Sequence, residues 1–74
     1  MVEGINMNLE EIKIGMRVII NSNCIEAYWG VRGTISRIDA PIDPKDKMIV
    51  HVTFDIPYKY LTEEYFSAKE LDKL

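Results

Sequence analysis

Tyr28, Trp29 and Arg32 set two aromatic faces and a guanidinium within five consecutive residues, in a loop that otherwise carries Cys24 and Ile25. Aromatic rings beside an arginine suit three kinds of recognition: stacking on nucleic-acid bases, holding a peptide, or anchoring a protein interface. The same residues also have a structural use. A chain of 74 residues has a thin core, and large rings close the end of a small barrel. The expected arrangement is therefore Trp29 as a plug with Tyr28 beside it.

Arg17 and Arg37 are expected to point outward from neighbouring strands, with Arg32 in the turn between them. Together the three would form a local basic patch, although scattered surface arginines are the simpler expectation. Tyr58, Tyr60 and Tyr65 would either build a groove for a polyproline helix or lay their rings on a rim with the hydroxyls wet, and the rim is favoured.

Chemistry of the catalytic kind has little to work with. His51 is the single histidine and Cys24 the single cysteine. His51 is expected to face outward, with no sequence neighbour suited to a triad. Cys24 has neither a CxxC spacing nor a basic neighbour, so it reads as a small apolar side chain. One cysteine forms no internal disulfide, and one histidine beside it makes no zinc set. The acids Asp43, Asp46, Glu63 and Glu64 lack the glycine and ligand spacing of a hard-cation loop. With no nucleophile–base pair, metal set or phosphate loop, the expectation is a non-enzyme without cofactor or metal.

The elements that would position these residues follow from periodicity. Met16 to Asn21 alternates with Met16, Val18 and Ile20 inward and Arg17, Ile19 and Asn21 outward, the pattern of a half-buried strand. Val31 to Asp39 reads as a second strand, with Gly30-Val31-Arg32-Gly33 making a tight turn or bulge at its start. Ala40 to Lys47 carries two prolines and reads as a hairpin loop. Met48 to Phe54 is the clearest strand, alternating Met48, Val50, Val52 and Phe54 with Ile49, His51 and Thr53. Asp55-Ile56-Pro57 is expected to turn the chain.

Beyond that, two readings stand. Tyr58 to Leu61 and Tyr65-Phe66 could be short strands about a turn at Thr62-Glu63-Glu64, or residues 62–74 could form one helix. The first is favoured, because Ser67-Ala68-Lys69-Glu70 carries a capping-box signature that starts a separate turn. At the other end, Asn8 followed by Glu11 gives a similar signature for one short turn, and residues 1–7 read as a flexible tail. The expected organisation is that tail followed by a single domain over 8–74, all-β, with about five short antiparallel strands in a small barrel.

Composition bounds the partners. Hydrophobic residues make up 47% of the chain, which suits a folded domain, and the net charge is -3. The excess is confined to residues 38–74, where five lysines face eight acids. An acidic balance disfavours binding to phosphate backbones, so nucleic acid is the less favoured partner. No stretch approaches the roughly 18 apolar residues that span a bilayer. Nor does the chain start with a basic segment followed by an apolar run, so no membrane association is expected and the cytoplasm is the expected compartment.

Three segments, in this order, carry a resemblance: Ile14-Gly15-Met16-Arg17-Val18-Ile19-Ile20, then Gly30-Val31-Arg32-Gly33-Thr34-Ile35, then Ile49-Val50-His51-Val52-Thr53-Phe54-Asp55. The order resembles SH3-like barrels, and among them KOW-type and related single-barrel modules. In those a Gly-Asp-x-Val strand leads into a loop and a Gly-x-x-Gly-x-Ile/Val turn opens the second strand. Met16 stands where the usual aspartate would be, and the first loop is longer than in a minimal unit. The closing Phe66 to Leu74 looks like the short last strand and turn of such barrels. The resemblance covers residues 9–74 and implies a non-catalytic binding module for a protein or peptide. Two other roles stay open: binding of RNA or single-stranded DNA through the aromatic and arginine face, and an accessory subunit that completes a larger complex.

Overall fold

The computed structural model describes residues 12–40 and 48–74. Five strands, β1 (Arg17–Ile20), β2 (Arg32–Asp39), β3 (Ile49–Tyr58), β4 (Leu61–Phe66) and β5 (Leu71–Lys73), form one sheet in the order β4-β3-β2-β1-β5. Every neighbouring pair is antiparallel. Two single 3₁₀ turns, Glu26–Tyr28 and Ala68–Glu70, are the helical elements among the described residues. The domain is all-β, as the alternating segments require.

Alternation decides which side chains meet. Val18 and Ile20 from β1, Val50, Val52 and Phe54 from β3, and Leu71 from β5 are buried on one face. The β1 and β3 residues are the inward positions expected from period two, and Met16 packs partly against the same cluster. Among the described residues no polar or charged side chain is buried, so the core is held by apolar packing alone.

Gly33 is not the bulge its spacing suggested. It pairs regularly with Val18 on one side and Phe54 on the other. A Cβ there would lie 2.4 Å from the Thr53 carbonyl oxygen and 2.6 Å from Val52 Cγ1, so the close approach of β3 requires glycine. The turn part of that expectation holds, since Gly30 has φ +81° and donates its N–H to the Ile20 carbonyl at 2.9 Å. The register shift in β2 falls between Ile35 and Arg37 instead. One extra residue there moves the inward set from odd to even positions, bringing Ile38 back against the core.

The C-terminal half departs further from the sequence reading. Asp55-Ile56-Pro57 does not turn the chain, because β3 runs on to Tyr58. Between the pairs Thr53↔Glu63 and Tyr58↔Leu61, residues 54–57 stand opposite Thr62 alone, so the segment bows out as a large bulge. Pro57 has no N–H to give a ladder, which suits that position. The reversal comes at Lys59-Tyr60, both at positive φ (47° and 74°). Thr62 to Glu64 therefore lies within β4 and is no turn, and the helix alternative for residues 62–74 does not hold. The capping box does form: Ser67 N and Oγ both donate to Glu70 Oε1, at 2.8 and 3.0 Å. The tail at residues 1–7, the Asn8 cap, most of the 40–47 loop, Asp43 and Asp46 lie outside the described residues.

Candidate functional site

The loop between β1 and β2 is fastened to the end of the chain. Asn21 donates its side-chain amide to the Lys69 carbonyl and to Asp72 Oδ1, both at 3.0 Å. Asn23 donates to the same Lys69 carbonyl at 2.8 Å. Within the loop, Trp29 Nε1 donates to the Cys24 carbonyl at 2.7 Å, which ties the two ends of the 3₁₀ turn Glu26–Tyr28 together. A loop braced this way presents its side chains on a fixed frame.

That frame divides the two aromatics. Tyr28 turns inward, with its ring centroid 5.5 Å from Phe66, 5.7 Å from Tyr58 and 6.2 Å from Phe54. Its hydroxyl donates to Glu64 Oε2 at 3.3 Å. Burial, and then the nearby Glu64 charge, push the phenol's pKa above its ordinary value. Tyr28 is thus the plug. Trp29, expected in that role, is 48% exposed and stands outside the core. The correction is physical: the indole reaches its hydrogen-bond acceptor within the loop, and the tyrosine fills the end of the core.

A groove of about 300 Å³ opens beside this loop. Gly30, Val31 and Arg32 form one wall, and the β3 bulge, Asp55 to Tyr58, forms the other. Ile56 is 78% exposed at its mouth. The register places Arg32 just beyond the Gly33↔Phe54 pair, so its guanidinium stands near Asp55. Asp55, however, is gripped through both carboxylate oxygens by Arg17. Arg32 makes no side-chain hydrogen bond and no ion pair among the described residues. Lys59 Nζ sits 5.5 Å from the Tyr58 ring centroid.

The three arginines do not form one free basic patch. Arg17 is spent on Asp55, and Arg37 donates to both oxygens of Asp39, at 2.8 and 3.1 Å. Asp55 and Asp39 are each held below the usual carboxylate range, first by the hydrogen bond from the arginine. Of the predicted set, Arg32 lines the groove and Trp29 precedes it in the chain, while Arg37 lies further along β2 with His51 opposite. Nor do the three C-terminal tyrosines share a groove. Tyr58 packs on Tyr28, Tyr60 stands fully exposed in the turn, and Tyr65 lies beside His51.

His51 is more enclosed than an outward strand position implied. Its Nε2 lies 2.9 Å from Asp39 Oδ2, and Glu63 stands 3.9 Å from Nδ1. Strand pairing brings both carboxylates there, and no sequence neighbour announces them. Cys24 is half-buried, less enclosed than the buried apolar side chain expected, and burial first, then the neighbouring Glu70, push its thiol pKa up. Among the described residues no cluster of His, Cys, Asp and Glu is placed to hold a metal ion, and no helix is long and apolar enough to cross a membrane.

The reading of the sequence missed the second wall of the groove. Asp55 to Pro57 looked like a turn, and Pro57 was the signal, marking a break in the ladder without saying that the strand resumes. Comparison with protein-family models, curated proteins and solved structures gives no significant match.

Proposed function

We propose that this chain is a non-catalytic binding module of the SH3-like kind, which takes a protein or peptide segment into the groove between Gly30–Arg32 and Asp55–Tyr58. The observation that carries this is the composition of the groove: apolar walls from Val31, Ile56, Pro57 and Tyr58, with one arginine that has no ion-pair partner among the described residues. A mostly apolar cleft with a few polar groups is the usual form of a recognition site. The strand order supports the SH3-like assignment, since consecutive strands pair as hairpins and the last returns to the first after a 3₁₀ turn.

Nucleic acid is the second reading, and the half-exposed Trp29 close in sequence to Arg32 favours it. Against it stand the pairing of Arg17 and Arg37 with carboxylates and the net charge of -3. Trp29 emission separates the two. It is recorded during titration with single-stranded and duplex oligonucleotides at low and moderate salt, and then with a random-sequence peptide mixture. Quenching by oligonucleotide that reverses with salt would carry the second reading, because phosphate contacts release counterions. Indifference to every oligonucleotide, with a response to peptide, carries the first.

A further inference from the structure

We infer that the segment taken by this groove is acidic as well as apolar, with a carboxylate set against Arg32. This rests on the groove being the binding site and names the chemistry of its occupant. The chain as a whole is acidic, yet among the described residues the charge left unpaired on the groove wall is a cation. Arg17 and Asp55 cancel one another, and Arg32 is left over. Arg32 is exposed on the first position of β2, and its guanidinium offers planar donors that match a carboxylate in bidentate geometry. The carboxylate that shares the groove with it, Asp55, is already committed to Arg17 on both oxygens.

The apolar walls set the rest of the requirement. Ile56 at 78% exposure is a large aliphatic side chain open to solvent, and Pro57 and Tyr58 continue the same wall. A segment with one or two aliphatic or aromatic residues beside an aspartate or glutamate would cover Ile56 and reach Arg32 together. A cationic segment would meet Arg32, and a wholly apolar one would leave the guanidinium without a partner at the edge of a dry contact.

The full chain, panned against a phage library of random 12-residue peptides, provides the test. Enriched peptides are synthesised with their acids intact and with each acid changed to its amide, and both are titrated by fluorescence anisotropy. Backbone amide shifts of the ¹⁵N-labelled protein report where they bind. The expected result is an enriched acidic and apolar pattern that shifts residues 30–32 and 55–58. Affinity should fall about tenfold or more on amidation, and by a similar factor in Arg32→Glu, as expected when one charged hydrogen-bonding partner is lost. Ile56→Ser, at an exposed position that leaves the core untouched, should weaken binding as well. Peptides that shift the same residues with no loss on amidation overturn the inference and leave the groove standing as a binding site. No enriched peptide, shifts confined to other residues, or a salt-sensitive response of residues 30–32 to a single-stranded oligonucleotide alone would overturn both.

Discussion

Arg17 on β1 grips both carboxylate oxygens of Asp55 on β3, reaching across β2, where Thr34 Oγ1 accepts a further hydrogen bond from Nη1 at 3.0 Å. The guanidinium holds Asp55 below the usual carboxylate range. A carboxylate with a folded pKa below its unfolded one contributes stability that is fully present above the unfolded value. That contribution is lost as pH falls through the folded value. Asp39 behaves in the same way, with Arg37 as the first cause and His51 as the second. Thermal melts should therefore weaken below about pH 5, the start of the carboxylate window. Asp55→Asn should melt slightly below the parent at pH 7, since exposed pairs contribute little. The two curves should converge at low pH. Parallel curves at every pH would mean that the pair adds nothing to the fold.

Gly33 makes a sharper test of the sheet. Its missing Cβ leaves room for a backbone oxygen of Thr53, which cannot move without disturbing the ladder between β2 and β3. Gly33→Ala should cost about 2 kcal/mol or more by overpacking. Gly30→Ala meets no atom within 4 Å and pays only for the left-handed backbone at φ +81°, about 1 kcal/mol. Chemical denaturation of the two variants should rank them in that order. The reverse order would show that strand approach at Gly33 is loose.

These cases show what a sequence conveys and what it withholds. Val50, Val52 and Phe54 were legible because period two needs only local alternation, and Ser67 with Glu70 because a capping box is four residues long. The bulge at Asp55–Pro57 was not, since proline marks a break in pairing and is silent on whether pairing resumes. The roles of Tyr28 and Trp29 came out exchanged, because both rings are large enough to fill the end of the core. What decides between them is a backbone carbonyl, that of Cys24, placed by tertiary folding. Of the groove, Arg32 was visible as chemistry, while its opposite wall depended on register.

Tyr28 and Trp29 can be told apart by substitution. Tyr28→Ala removes a ring packed on Phe54, Tyr58 and Phe66 and should cost about 3 kcal/mol. Tyr28→Phe loses only the long hydrogen bond to Glu64 and should stay within about 1 kcal/mol of the parent. Trp29→Phe gives up the indole N–H bond to Cys24 and should cost about 1 kcal/mol, with little loss of core packing. Urea denaturation followed by circular dichroism reads all three. A larger loss for Trp29→Phe than for Tyr28→Ala would return Trp29 to the core.

Tyr60 offers a change expected to stabilise. It sits at φ 74° in the two-residue turn between β3 and β4, after Lys59 at φ 47°. Two positive φ values match the twist of a hairpin, but side chains resist them, and such turns favour asparagine followed by glycine. The Tyr60 ring is fully exposed, so no packing is lost when it is removed. Glycine reaches this backbone conformation without steric strain, although it enlarges the unfolded ensemble and so forfeits part of the gain. Tyr60→Gly should raise the unfolding free energy by about 0.5–1 kcal/mol net of that loss. Adding Lys59→Asn should extend the gain in the same direction. A fall in stability would mean that the Tyr60 ring makes a contact in solution that its exposed position does not reveal.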